Sequence, residues 1–341
     1  MSETSNDAEG GSAVSDDRFQ ILALDGGGAK ALFTAHVLAR LEEDLGISVA
    51  DSFDLVAGTS AGGIVALALG SGMRPAEIVD HFTELVSSVF PGRRRRSPLR
   101  VLRPAYREDA LRMALFGVLG DRLLGHSTKR LLIPSWDVQV GSVHVFKTPH
   151  HSRLRRDWRV PMVEVAMATS AAPTYFPAAN VDNHRLIDGG VWANNPSVIA
   201  IAEAVSMLDT PLTAIRVLNI GTMDAVDNHS KKLDRGGLAV WATRVAPVLL
   251  AASSRGGQGT AEHLVGTGNY QRFDARVPGG LYSLDRIDPK ALAGLAGSVS
   301  RTLSPAYHDR FADHCAADYV PLAGPAASVA ALEYSKSVGE Q

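Results

Sequence analysis

Phe53-Asp54-Leu55-Val56-Ala57-Gly58-Thr59-Ser60-Ala61-Gly62-Gly63-Ile64-Val65-Ala66-Leu67-Ala68-Leu69 reads as a buried strand, a sharp turn and an apolar helix. The turn, Gly58-Thr59-Ser60-Ala61-Gly62, is a Gly-x-Ser-x-Gly pentapeptide. The pentapeptide alone is common by chance. Between a strand and a helix it becomes a nucleophile elbow, which lifts a serine hydroxyl clear of a sheet. Small neighbours are needed because the serine backbone is strained there and larger side chains would strike strand and helix. The Ala61 N–H then lies at a helix N-terminus, where it can stabilise an oxyanion.

Upstream, Phe19-Gln20-Ile21-Leu22-Ala23-Leu24 has the look of a second buried strand, followed by Asp25-Gly26-Gly27-Gly28-Ala29-Lys30. A helix pattern follows, with Leu32, Val37, Leu38 and Leu41 on one face and Arg40, Glu42, Glu43 and Asp44 on the other. Three glycines at a helix start expose N–H groups that suit an anion, either a phosphate or an acyl oxyanion. The Lys-Ser/Thr ending of a Walker loop is missing, and beside the Ser60 elbow the oxyanion reading is the better one. Downstream, Arg185-Leu186-Ile187-Asp188-Gly189-Gly190 delivers Asp188 onto a Gly-Gly turn, and Pro196 suits the first turn of a helix. Asp-Gly is also an ordinary hairpin turn, so this third piece is weak in isolation.

Together these motifs resemble the patatin-like phospholipase family. The resemblance rests on Asp25-Gly26-Gly27-Gly28, Gly58-Thr59-Ser60-Ala61-Gly62 and Asp188-Gly189-Gly190. It is reinforced by Ala168-Thr169-Ser170-Ala171-Ala172-Pro173-Thr174-Tyr175-Phe176-Pro177 and Ile220-Gly221-Thr222. It implies lipid acyl hydrolysis by a Ser–Asp dyad without a histidine, metal or cofactor. Ser60 is then the nucleophile and Asp188 the base, with Gly26, Gly27, Gly28 and the Ala61 N–H as oxyanion hole. One departure stands out: Lys30 occupies a position where the family usually has Arg, and it is left outside the catalytic set. In length and in layout beyond the core, the chain also resembles bacterial patatin-like effectors of anti-phage signalling that a cyclic dinucleotide switches on.

The chemistry stands on the residues as well. A free serine hydroxyl is a poor nucleophile and needs a base within hydrogen-bond reach. Asp188 can take that proton if burial raises its pKa towards working pH. A competing Ser-Asp-His order is present with His308 or His314, but neither sits in a constrained strand–turn context and both suit a terminal helix. His184 reads as a surface turn residue, and His150-His151 lacks metal-ligand spacing with an acidic partner. The remaining alternative is a non-catalytic module that holds an anion or docks on a membrane.

The 341 residues are 45% hydrophobic and 21% charged, ordinary for a globular protein. Residues 1–17 are rich in Ser, Gly, Asp and Glu and read as a disordered tail without signal-peptide character. With no apolar run long enough to span a bilayer and a single cysteine, Cys315, the expectation is a cytoplasmic protein that binds the inner membrane peripherally when active. Cys315 itself reads as a buried helix residue. Between residues 91 and 159, fourteen Arg and two Lys face five acids, in a chain whose net charge is −2. One cluster is Arg93-Arg94-Arg95-Arg96 with Arg100 and Arg103; the other is Arg153, Arg155, Arg156 and Arg159. Such clusters suit anionic lipid headgroups or a phosphate-bearing regulator. Few aromatics accompany them, which argues against a nucleic-acid polymer.

The expected fold is α/β, a mostly parallel sheet sandwiched by helices, three-layered and patatin-like by resemblance, with a C-terminal helical extension. The domain reading is a core over 18–222 with a basic insertion at about 91–159, then a mostly helical 223–341. Within it, 130–147 reads as strand, 161–170 as a small-residue helix and 269–277 as one strand. A helix over 236–266 is expected to break at Arg255-Gly256-Gly257-Gln258-Gly259. Oligomeric state is left open, and oligomers are compatible with the chain.

Overall fold

Strand Phe19–Leu24 (β1) enters helix Ala31–Leu45 (α1), and strand Leu55–Gly58 (β2) enters helix Ala61–Gly70 (α2). The computed structural model describes residues 18–90, 104–226, 234–241, 245–278, 281–324 and 327. After α2 come α3 (Pro75–Val89), α4 (Glu108–Leu119), the hairpin β3 (Arg130–Asp137) and β4 (Ser142–Lys147), and α5 (Met162–Thr169). The hairpin β5 (Ala179–Val181) and β6 (His184–Asp188) leads to α6 (Gly190–Ala193), α7 (Ser197–Met207), β7 (Ile215–Ile220) and β8 (Asp224–Val226). The last elements are α8 (Leu238–Trp241), α9 (Val245–Val265), β9 (Tyr270–Phe273), β10 (Arg276–Pro278) and α10 (Pro289–Arg310).

The main sheet has the order β5-β6-β3-β2-β1-β7-β9, with β4 also paired to β3. Its centre, β3-β2-β1-β7-β9, is parallel, and the β5, β6 and β4 pairings are antiparallel. Period-2 alternation divides the central strands between two cores. Leu22, Leu24 and Val56 join the core under α1, α2, α3, α5 and α10, whereas Ile21, Ala23, Leu55 and Ala57 join the one under α7 and α9. Both faces are therefore covered, which is why β2 and, from Ile21 onward, β1 are continuous apolar runs. Helix α2 is buried along its whole length, so its lack of a polar face fits its place against the sheet. Helix α10 packs on α1, and its Tyr307, with Phe311 just past its end, meets Phe53 before β2 at ring-centroid distances of 6.4 and 6.0 Å. The 91–159 stretch supplies α4, β3 and β4, and the part beyond 222 supplies β9, α9 and α10.

Several expectations need correction. Helix α9 runs unbroken through 255–259. A side chain at Gly257 would come within 3.1 Å of the Asn195 carbonyl, so the small residue lets the helix pack close to the Asp188 loop. Residues 269–277 form two strands in different sheets. The chain turns at Asp274, whose carboxylate accepts the N–H groups of Met223 and Ala275, each at 2.8 Å. His314 and Cys315 lie beyond the end of α10, and Cys315 is exposed. His184 opens β6 and meets the Asp137 carboxylate at 2.6 Å. The 1–17 tail and the Arg93–Arg103 cluster fall outside the described residues. Among the described residues no helix is long and apolar enough to cross a membrane, and no group of three metal-ligating side chains forms.

Candidate active site

Ser60 sits between β2 and α2 with φ 54° and ψ −126°, a left-handed-side conformation rare for a side-chain-bearing residue. Hydrogen bonds on both sides hold it there. The Thr59 N–H donates to the Leu24 carbonyl at 3.1 Å and the Thr59 hydroxyl to the Ala193 carbonyl at 2.6 Å. The Ser60 N–H donates to Thr169 Oγ1 at 3.0 Å, and that hydroxyl in turn donates to the Pro134 carbonyl at 2.6 Å. Gly62 is required by close approach: a Cβ there would lie 2.5 Å from the Leu24 carbonyl.

Asp188 arrives from the end of β6, whose pairing with β3 sets Asp188 opposite Ser135. The Ser60 hydroxyl donates to Asp188 Oδ2 at 2.6 Å, across 128 residues of sequence. Asp188 Oδ1 accepts the Gly190 N–H at 2.7 Å. Burial, with only the serine hydroxyl and one amide to offset it, pushes the Asp188 carboxyl up to about 6. Ser60 and Asp188 line one cavity of about 540 Å³. Its walls are largely apolar, including Ile64, Phe82, Leu85 and Phe90 on one side and Leu249 and Leu250 of α9 on the other.

The glycine loop adjoins the same cavity, but its members differ. Gly27, Gly28 and Ala61 line the cavity, and no acceptor among the described residues takes their N–H groups. Gly28 has φ +57°, and a Cβ there would lie 2.3 Å from the Leu284 carbonyl. The Gly26 N–H instead donates to the Asn194 carbonyl at 3.0 Å, so Gly26 ties the loop to the Asp188 segment.

Neither His308 nor His314 lines the cavity. His308 is exposed on α10, and His314 is bonded to the buried Asp54 at 2.8 Å.

A buried polar cluster behind the loop escaped the reading of the sequence. Asp25, next to Gly26, accepts from Asn219 at 2.7 Å, from Ser254 of α9 at 2.7 Å and from Arg272 of β9 at 2.9 Å. Burial raises the Asp25 carboxyl, and the Arg272 guanidinium opposes that rise. Asn195 links the cluster onward to Asn219 at 3.1 Å and to the Tyr270 hydroxyl at 3.2 Å. Thr169 stands within a motif that the sequence already marks and Asn195 directly before Pro196, whereas nothing local distinguishes Arg272.

A family description, patatin-like phospholipase, matches residues 22–201. The chain is 32% identical over 317 residues to a cGAMP-activated phospholipase of Vibrio cholerae, covering 84% of this chain and 89% of that one. It is 35% identical over 279 residues to a cGAMP-activated phospholipase of Pseudomonas aeruginosa, covering 79% and 83%. Among solved structures, VipD from Legionella pneumophila aligns with a TM-score of 0.46 at 12% identity, over 85% of this chain and 67% of that one.

Proposed function

The chain belongs to the patatin-like phospholipase family of lipid-hydrolysing enzymes, and from that we propose that it cleaves the acyl esters of membrane phospholipids through a Ser60–Asp188 dyad under cyclic-dinucleotide control. The observation that carries this reading is the 2.6 Å hydrogen bond from the Ser60 hydroxyl to a buried carboxylate, at the floor of an apolar cavity.

The sequence of steps follows from the groups present. Asp188 takes the Ser60 proton as Oγ attacks the ester carbonyl, and the carbonyl oxygen becomes an oxyanion. The amides of Gly27, Gly28 and Ala61 are the donors aimed at that charge, each worth about 2.7–4 kcal/mol in the transition state. Gly26 serves as the tie that positions them. Asp188 then gives its proton to the departing lysolipid oxygen, leaving an acyl-Ser60 ester. Water attacks that ester while Asp188 accepts its proton, and the proton passes to Ser60 Oγ as the fatty acid leaves. The largely apolar cavity walls suit an acyl chain.

Control by a cyclic dinucleotide is supported by the two relatives named cGAMP-activated phospholipases, each aligned over more than three quarters of this chain. With it comes an anti-phage role and peripheral docking at the inner membrane surface. Exposed Val245 and Leu249 at the cavity wall offer apolar contact for that docking. Fatty-acid release from phospholipid vesicles, with and without cGAMP, tests the whole reading. Wild type should release fatty acid only with the nucleotide, and Ser60→Ala should release none. Equal release by Ser60→Ala would sink the dyad, and no release by wild type with or without cGAMP would leave a binding module.

A further inference from the structure

A second cleft, of about 510 Å³, shares no lining residue with the acyl cavity. It lies where the chain enters α5 and where the β5–β6 hairpin turns, and Arg156, Arg159, Glu164, Asn180 and Asp182 supply its polar groups. Among the described residues no ion pair engages the guanidinium of Arg156 or Arg159. Arg159 stacks on Trp158 with its guanidinium carbon 4.8 Å from a ring centroid, which uses the flat face and spares the N–H edge. Asp182 stands at φ +46° in a two-residue turn with Asn183 at φ +68°, and its carboxylate has no hydrogen-bond or ion-pair partner among the described residues, although it lies within electrostatic reach of His144 and Asp157. The Glu164 carboxylate, by contrast, is held by both terminal nitrogens of Arg112.

These groups select a ligand. Two unpaired guanidinium groups suit phosphodiester oxygens, since charge-assisted bonds to phosphate are the strong ones. A carboxylate with no hydrogen bond of its own in the same cleft repels a bare phosphate but accepts the N–H edge of guanine, as Watson–Crick edges of unpaired bases are read elsewhere. A guanine-containing cyclic dinucleotide carries both features on one compact ring. A lipid headgroup phosphate matches only the first.

The cleft is also physically joined to the dyad. Helix α5 starts just after Pro161, which lines the cleft, and ends about 12 Å away at Thr169, whose hydroxyl holds the Ser60 N–H. Strand β5 lines the cleft, and its partner β6 ends at Asp188. The Asp188 N–H in turn donates to the Ala171 carbonyl just beyond α5. We propose that this cleft receives the cyclic dinucleotide, with phosphates on Arg156 and Arg159 and guanine on Asp182. Occupancy then biases the relative placement of α5 and β6, and with it the meeting of Ser60 and Asp188. This assignment rests on the cyclic-dinucleotide reading above.

Calorimetric binding of cGAMP to the full chain, alongside vesicle hydrolysis, tests it. Arg156→Ala/Arg159→Ala should bind roughly a hundredfold or more weakly and shift the activation curve equally, with its melting curve as the check on folding. Asp182→Asn, a second and milder variant, should lose preference for cGAMP over cyclic di-AMP, which has no guanine. Wild-type affinity in the double variant, or unchanged preference in Asp182→Asn, overturns the assignment. Displacement of cGAMP from wild type by inorganic phosphate or phosphatidylglycerol vesicles at like concentrations also overturns it, in favour of a phosphate site. If wild type hydrolyses vesicles yet binds no cyclic dinucleotide, the activation reading itself falls and takes this one with it.

Discussion

Asp188 holds its proton to higher pH than a free carboxyl because burial penalises the charge, and the Ser60 hydroxyl and Gly190 amide offset only part of that. A base near pH 6 is well matched to a serine that must be deprotonated only in the transition state. With Asp188 as the proposed base, the ionised form is the active one, so kcat/KM should fall as pH drops through about 6; a flat profile from pH 5 to 8 would exclude Asp188 as base. Stability runs the other way. A raised carboxyl favours the folded state fully below its unfolded value of 3.8, and that contribution is lost as pH rises through about 6. Asp188→Asn removes the buried charge. It should raise unfolding free energy by up to about 3 kcal/mol at pH 8 and by almost nothing below pH 4, while lowering turnover by about 10²–10⁴-fold. Denaturant titrations at the two pH values check the first half, and vesicle assays the second. At this scale Ser60 and Asp188, which meet in the structure, stood out as candidates because a nucleophile elbow and an Asp-Gly-Gly turn are local patterns. The tie made by Gly26 was not, since its acceptor, the Asn194 carbonyl, is brought by a distant segment.

Among the elements, β9 and α9 do more than close the second core. Arg272 of β9 and Ser254 of α9 both reach Asp25, so the end of β1 and the start of the glycine loop are held from behind. Removing one partner of a buried ion pair strands the other charge. Arg272→Met should therefore destabilise the protein by about 3–5 kcal/mol in denaturant titrations. Below the melting temperature it should also lower kcat more than it raises KM, with Arg272→Lys recovering part of the loss. A kcat equal to wild type would show that the cluster supports folding only. The misread elements share a cause. Glycines at 256, 257 and 259 argue locally for a break, yet packing of α9 against the Asp188 loop and the sheet outweighs a helix penalty of about 1 kcal/mol per glycine. The split of residues 269–277 is likewise imposed from outside, by the pairing of β9 with β7 and of β10 with β8 and by the Met223 N–H, which donates to Asp274.

For the molecule as a whole, the apolar cavity runs from the dyad to a wall where Leu249 is 53% exposed. A lipid that leaves a bilayer must cross such a wall, and a charge there opposes contact with acyl chains. Leu249→Glu should cut turnover on vesicles about tenfold, and more than it cuts turnover on a soluble short-chain ester; equal losses on both would place the effect inside the cavity. The strand–helix–strand–helix order from 19 to 69, the covered parallel sheet built on it, and the candidate residues Ser60 and Asp188 could be read from the sequence by itself. Periods of 2 and 3.6, the elbow pentapeptide and the glycine turns all act over a few residues, so one dimension suffices to read them. Only the tertiary structure decided which groups meet. It put Asp188, not a histidine, on Ser60 across 128 residues, and Arg272 on Asp25 across 247. Those contacts depend on sheet order, on the register of β6 against β3 and on the burial that results. No local pattern encodes them, because they come from the packing of strands and helices far apart in the chain.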